Sequence, residues 1–242
     1  MRAPAPGSEE TWPSELRRGI ASSMPVLIGL VPYGLVLGAQ AAQKGFSVAE
    51  VPLMTGLNFA GGAEFAALQL WTSPPHILLI AAVTFLVNSR YLVMGAALAP
   101  FLKTLPKRKA LPTLFFLTDA SWALGLADAQ RRAARDLRPA FSLPYYLGAS
   151  LACYCVWVVF TTFGAALGAV LGDVEAYGID MAFPAVFLVI LRGMWRGFRS
   201  ARPWLVSLVA AAVTYLAVPG AWYVAVGALS GIFAAYLLAR NT

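Results

Sequence analysis

Three apolar runs without any charged residue decide which class of protein this chain can form. The runs cover residues 19–43, 139–172 and 203–239, and none of them contains Asp, Glu, Lys or Arg. A helix needs about 20 apolar residues to cross the hydrocarbon core of a bilayer. The last run is long enough for two such helices, with Pro219-Gly220 at their turn. We therefore predict an all-α, polytopic membrane protein.

Composition and charge agree with this class. Hydrophobic residues make up 60% of the chain and charged residues 12%, whereas a soluble domain averages about 25% charged residues. The net charge of +7 is compatible with nucleic-acid binding. The basic residues lie in short clusters between apolar runs, however, which is the pattern of cytoplasmic loops in membrane proteins. The expected surroundings are a lipid bilayer, and we expect no nucleic-acid partner.

The hydropathy pattern divides the chain into a tail and a membrane domain. Residues 1–18 are predicted to form a polar cytoplasmic tail, and residues 19–242 a single transmembrane domain. The stretch 128–138 is too polar to span, and the spacing of Asp128 and Arg132 predicts an ion pair on a short surface helix. The apolar segments within the domain are 19–41, 51–71, 77–102, 111–127, 143–171, 179–195, 204–218 and 220–239.

The distribution of Lys and Arg favours one topology. If all eight segments span and the N-terminus is cytoplasmic, the basic cluster at 103–109 lies outside, against the positive-inside rule. If 51–71 and 111–127 enter and return on the same side, that cluster becomes cytoplasmic. Of all the basic residues, only Lys44 then lies outside and only Arg90 lies within a span. We therefore favour six spans plus two re-entrant or broken segments, with eight plain spans as the alternative.

A single acidic residue, Glu64, lies within the apolar segment 51–71, directly after Gly61 and Gly62. An ionisable side chain costs about 2.5–3.5 kcal/mol at the centre of a spanning helix, and such residues mark substrate or ion pathways. The glycine pair lets the backbone leave the helix and frees amide groups that a protein-lined cavity can satisfy. We predict that the working site begins here, with Asn58 in the same motif. A helix-to-helix contact is the alternative for Glu64.

Arg90 and Asp119 are the other ionisable residues expected within the membrane. A guanidinium group matches the two oxygens of a substrate carboxylate, but Arg90 could equally form a structural ion pair with Glu64 or Asp119. The two acids are candidate acceptors for an ammonium group or a coupling proton. Asp119 could instead cap a helix. Asn88 joins the candidate site, although a helix-to-helix hydrogen bond is its more ordinary role.

Small residues and cysteines predict internal packing. Spacing of glycines by four residues lets helices approach closely, and Cys153 and Cys155 are expected to be reduced packing residues. No motif for a metal, a cofactor or a catalytic nucleophile occurs in the sequence. The glycine seams are Gly34–Gly38, Gly164–Gly168–Gly172 and Gly227–Gly231.

Several motifs in order resemble the AzlC family of branched-chain amino acid permeases. They are GIASSMPVLIGLVPYGLVLGAQAAQKGFS, NFAGGAEFAALQL, VNSRYLVMGAALAP, LTDASWAL and the C-terminal pattern G-x-D-x-A-F-P-A-x-F. Two positions depart from the family pattern. Glu64 replaces the usual Gln after the glycine-alanine turn, and Ala120 replaces the usual acid after the LTD motif.

The resemblance implies a function and a partner. It implies a multi-pass protein of the bacterial inner membrane that exports branched-chain amino acids or their analogues. A small hydrophobic AzlD-like membrane subunit is the implied partner, and no cofactor is implied. In this interpretation Arg90 binds the substrate carboxylate, Glu64 or Asp119 binds the ammonium group, and Phe59, Phe65 and Tyr91 line the pocket. The alternatives are a non-transporting structural or regulatory membrane subunit and, less favoured, an intramembrane enzyme.

Overall fold

The computed structural model describes residues 11–103, 105–171, 197–218 and 222–240, and these residues form helices joined by short connections. The predicted segment 179–195 and the Pro219-Gly220 turn lie outside the described residues. The helices are α1 (Trp12–Gln43), α2 (Glu50–Asn58), α3 (Gly61–Gln69), α4 (Ile77–Asn88), α5 (Arg90–Leu102), α6 (Lys107–Phe115), α7 (Asp119–Ala133), α8 (Leu143–Leu171), α9 (Phe198–Ala217) and α10 (Trp222–Arg240).

Three helical stretches are long and apolar enough to cross a membrane: Trp12–Gln43, Ile77–Leu102 and Leu143–Gly168. The second consists of α4 and α5, between which only Ser89 intervenes. Shorter apolar stretches cover most of α9 and α10. The predicted all-α membrane class is therefore confirmed. The number of spans, six plus two or eight, stays a prediction.

Helices α1 and α8 pack along most of their lengths through small residues. A Cβ atom added at Gly38 would lie 1.9 Å from the carbonyl oxygen of Thr161, and one added at Gly164 would lie 2.1 Å from that of Leu35. Such distances leave room only for glycine. In the C-terminal hairpin, Gly227 and Gly231 likewise pack against α9. These glycine seams are internal packing, as predicted, while Gly172 lies outside the described residues.

Segment 51–71 is broken between α2 and α3. Phe59 adopts a left-handed conformation with φ of 46° and ψ of 45°, and its amide closes α2 by donating to the Thr55 carbonyl. A non-glycine residue rarely takes this conformation, so the backbone turns sharply before α3 begins at Gly61. The predicted interruption is present. It lies at Phe59 and Ala60, directly before the glycine pair rather than at it.

Segment 111–127 is also broken, since α6 ends at Phe115 and α7 begins at Asp119. The hydroxyl of Thr118 accepts from the Ser121 amide, while the Ser121 hydroxyl accepts from the Thr118 amide. This reciprocal cap fixes the start of α7. Thr118 is therefore the N-cap, and the cap role considered for Asp119 is wrong. Whether either broken segment returns to its side of entry stays a prediction.

The polar stretch after Ala127 does not form a separate surface helix. Residues 128–133 complete α7, and Asp128 and Arg132 are buried against the start of α1. Arg18 donates to Asp128 at 2.6 Å, and Arg132 lies 3.3 Å from Glu15. The predicted Asp128–Arg132 pair on a surface helix is thus wrong. The start of α1 neutralises both charges instead: it supplies Arg18 to Asp128 and Glu15 to Arg132.

Candidate functional site

Arg90 and Asp119 form an ion pair between the first residues of α5 and α7. The Nη2 atom of Arg90 lies 3.0 Å from the Oδ2 atom of Asp119, and their side chains are 34% and 56% exposed. Of the two partners that the sequence left open for Arg90, the structure selects Asp119. Because this single contact leaves both groups partly open, a ligand can reach either charge.

The glycine pair at the start of α3 makes room for two large side chains. A Cβ atom at Gly62 would lie 3.3 Å from Nη2 of Arg90, and one at Gly61 would lie 3.1 Å from the Trp157 ring. Arg90 therefore lies against the N-terminal turn of α3, where the helix dipole is positive. A cation held beside this end of a helix makes the local field strongly attractive for an anion. The surroundings of Arg90 suit a carboxylate ligand.

Glu64 lies two residues further along α3 and has different surroundings. Its residue is 1% exposed. Its Oε1 atom accepts from the Ala60 amide and its Oε2 atom from Trp157 Nε1, both at 3.0 Å. No ion pair within the described residues includes Glu64, so the Arg90–Glu64 pair considered above is absent there. The carboxyl group is held by two neutral donors instead.

Aromatic side chains from three helices enclose this part of the molecule. The Tyr33 ring of α1 lies 4.7 Å from the Phe65 ring and 5.4 Å from the Trp157 ring. Arg90 pairs with Asp119 and also lies against Gly62, two residues before Glu64. The three predicted charged residues therefore belong to one neighbourhood.

Tyr33 and Trp157 were not among the residues predicted for the site. Two signals were present in the sequence. Tyr33 follows Pro32 inside the first apolar segment, and Trp157 lies in the middle of the segment 143–171. Belt tryptophans lie at segment ends instead. A tryptophan at mid-segment brings an N–H donor into the membrane interior, where it needs an acceptor.

The two predicted asparagines lie at helix ends. Asn58 is the exposed last residue of α2, and Asn88 is the last residue of α4. Within the described residues, the Asn88 Oδ1, Arg90 Nε and Trp122 Nε1 atoms are buried without a hydrogen-bond partner. Buried polar atoms are normally paired. Arg90 and Trp122 lie on the two helices that carry the ion pair, and Asn88 ends the preceding helix α4, so a polar ligand bound there would meet unsatisfied groups.

Metal-binding clusters and surface grooves give no second candidate site within the described residues. The described residues contain no group of three or more His, Cys, Asp or Glu that could hold a metal ion. An apolar groove on the C-terminal hairpin is lined by residues such as Leu205, Val209 and Val226. It contains no charged side chain and does not coincide with the polar neighbourhood. The candidate site is therefore the region around Arg90, Asp119 and Glu64.

Comparison with known proteins yields relatives over most of the chain. An uncharacterized membrane protein of Archaeoglobus fulgidus is 28% identical over 177 residues, which are 72% of this chain and 74% of that protein. An uncharacterized membrane protein of Haemophilus influenzae is 25% identical over 215 residues, covering 87% and 83% of the two chains. The branched-chain amino acid transport protein AzlC of Bacillus subtilis is 24% identical over 190 residues, covering 77% and 70%.

No solved structure matches this chain. The family model described as AzlC protein matches residues 25–171, a range that includes α1 to α8 apart from the start of α1. All the residues of the candidate site lie within it. The matched range and the relatives confirm the resemblance seen in the motifs: this chain is a membrane protein that belongs to the AzlC family.

Proposed function

We propose that this protein is the transporting subunit of an exporter of branched-chain amino acids or their analogues in the bacterial inner membrane. Its proposed partner is a small hydrophobic membrane subunit of the AzlD type. A relative and an ion pair support the proposal. The Bacillus subtilis relative is named as a branched-chain amino acid transport protein, and the open Arg90–Asp119 pair offers one charge for each end of a zwitterion.

The Arg90–Asp119 pair is the observation that carries the proposal. The two groups lie 3.0 Å apart and neutralise each other. A bound amino acid replaces this contact with two new ones, carboxylate to Arg90 and ammonium to Asp119. Because the exchange leaves no charge unpaired, it avoids the large cost of an isolated charge in an apolar environment. The aliphatic side chain then contacts the Tyr91 ring, which lies beside the Arg90 guanidinium.

Flux in reconstituted vesicles tests this function. The protein is incorporated into liposomes with and without its partner subunit, and the movement of radiolabelled leucine, isoleucine and valine is measured. We expect flux with both subunits present and its loss when Arg90 and Asp119 are both changed to Ala. Flux that survives this double change would mean that the pair only joins α5 to α7, and that the chain is a structural subunit.

The N-terminus is proposed to be cytoplasmic, together with the basic cluster around α6. A single cysteine is placed at Lys107, the exposed first residue of α6, in a variant that lacks Cys153 and Cys155. It should resist an impermeant maleimide in intact cells. The matched control is a cysteine at the exposed Lys44, which the topology places outside and which should be labelled. Labelling at Lys107 from outside would restore eight plain spans.

A further inference from the structure

We propose that Glu64 is a proton-binding site that couples export to proton entry, at a position separate from the site where the substrate binds. The proposal rests on the proposed transport function and adds its energy source. It follows from the different surroundings of Asp119 and Glu64. Asp119 is 56% exposed and touches one cation, whereas Glu64 is 1% exposed and touches none within the described residues.

The enclosure of Glu64 excludes direct contact with a substrate ammonium group. Both of its oxygens already accept a hydrogen bond, one from the Ala60 amide and one from the Trp157 indole, each at 3.0 Å. Glu64 is 1% exposed, so an ammonium group carried by a substrate would have to displace the side chains that enclose the carboxyl group, whereas a proton needs no such space. Asp119 offers an open carboxylate nearby, so the ammonium group binds there instead.

The same contacts favour a proton over a metal cation. Hard metal ions need several oxygen ligands around them, whereas the groups that contact the Glu64 carboxyl are N–H donors. A proton needs only one oxygen lone pair. Each Glu64 oxygen has a second lone pair besides the one used by its donor. The carboxyl group can therefore take up and release a proton while Ala60 and Trp157 keep their hydrogen bonds.

Titratable or charged groups from several helices surround the α3 turn that carries Glu64. They are Tyr33 on α1, Arg90 and Tyr91 on α5, Asp119 on α7 and Tyr154 on α8. Helix α4, which packs against α3, contains none, and α2 carries Glu50 at its opposite end. Arg90 is paired with Asp119, so its charge is largely neutralised. Within the described residues Glu64 is not part of that pair. Its charge state can change without breaking an ion pair of its own.

The first turn of α3 links the proton site to the substrate site. Gly62 lies against the Arg90 guanidinium, and Glu64 lies two residues later in the same helix. When a substrate carboxylate draws Arg90 away from Asp119, the guanidinium group also moves relative to Gly62 in the first turn of α3. The Glu64 carboxylate takes a proton from the outer side, which forms an O–H bond. That bond breaks as the proton is released to the cytoplasm, and the substrate moves the opposite way in each cycle.

The test measures proton movement and substrate exchange in the same vesicles. Vesicles that contain the reconstituted transporter are loaded with a pH-sensitive dye, and a leucine gradient is imposed across their membrane. The wild type should move protons against the flow of leucine. Glu64→Gln should abolish this proton movement while leucine-for-leucine exchange continues. Persistent proton movement in Glu64→Gln would overturn the proposal, as would leucine flux without proton movement in the wild type. A wild type that moves no amino acid would instead refute the proposed function.

Two further variants keep the test decisive. Glu50→Gln is the matched control, because Glu50 is an exposed acid just before the same broken segment, and the hydrogen bond from the Ser47 amide lowers its pKa. Its proton coupling should equal that of the wild type. If Glu64→Gln fails to fold, Trp157→Phe removes one donor and keeps the carboxyl group. The pH at half-maximal proton movement should then shift, and an unchanged midpoint would overturn the proposal.

Discussion

Two clusters of charged side chains differ in how completely the protein satisfies them. The end network, formed by Glu15, Arg18, Asp128 and Arg132, joins the start of α1 to the end of α7. Its acids each contact at least two donors, and the Ser142 hydroxyl also donates to Glu15. The Arg90–Asp119 pair has a single ion-pair contact, and within the described residues the Arg90 Nε atom is buried without a hydrogen-bond partner.

This difference separates charges that hold helices together from charges that can exchange partners. Removing one member of a buried ion pair costs about 3–5 kcal/mol, because the other charge is left uncompensated. The Arg90–Asp119 pair has a single contact and is partly exposed, so a zwitterion that offers an opposite charge to each group can replace it without leaving a charge unpaired. The end network is thus suited to fixing α1 against α7 and α8, and the Arg90–Asp119 pair to binding.

The largest effect is expected when the end network is broken. In Asp128→Ala, the carboxylate that Arg18 contacts at 2.6 Å and 3.1 Å is lost. We expect destabilisation of about 3 kcal/mol, the low end of the range for buried pairs, because Arg18 remains partly exposed. Unfolding of the purified protein in detergent measures this loss.

Asp119→Ala is the matched control for Asp128→Ala, since it removes the other aspartate that pairs with an arginine between helices. Its stability should fall by less than that of Asp128→Ala, because the Asp119 side chain is 56% exposed with a single ion-pair contact, whereas that of Asp128 is 4% exposed; transport should nevertheless be lost. If the two variants are equally unstable, the Arg90–Asp119 pair is a structural contact like the end network, and the contrast between the two clusters is wrong.

A smaller effect, on transport alone, is expected at Arg90. Arg90→Lys keeps the positive charge but loses the fork that binds two carboxylate oxygens. Loss of one hydrogen bond to a charged group costs about 1.5 kcal/mol or more, so the transport efficiency should fall about tenfold. Expression and detergent stability should match the wild type. Full flux in this variant would refute carboxylate binding at Arg90, and loss of the protein from the membrane would favour the structural ion pair.

The sequence predicted those features that depend on local composition. Long charge-free runs identify membrane helices because the bilayer interior disfavours charged side chains. Glycines spaced by four residues predicted close helix packing, which the structure shows between α1 and α8. The glycine pair also indicated a break before Glu64, although the break lies at Phe59 and Ala60, directly before Gly61 and Gly62. Each of these inferences needs only residues that lie close together along the chain.

Contacts between distant residues could not be predicted in the same way. Nothing near Glu64 in sequence indicates that its second donor is Trp157, 93 positions away along the chain. The spacing of Asp128 and Arg132 suited an ion pair on one helix, but the start of α1 supplied better-placed partners 110 and 117 positions away. When a charge becomes buried, the tertiary neighbour that neutralises it decides its role, and local spacing does not reveal that neighbour.

The smallest effect is expected from Gly62→Ala, which tests whether the α3 turn positions Arg90. The added Cβ would lie 3.3 Å from Nη2, so the flexible guanidinium would move by a few tenths of an ångström. The half-saturating substrate concentration should rise about threefold, which corresponds to about 0.6 kcal/mol. Stability should not fall, because Ala is favoured over Gly within a helix by about 0.5–1 kcal/mol.

Gly95→Ala on α5 is the control, since its Cβ would meet nothing within 4 Å. This substitution should leave the half-saturating concentration unchanged. Equal effects of the two substitutions would show that the close approach of Gly62 to Arg90 has no part in substrate binding.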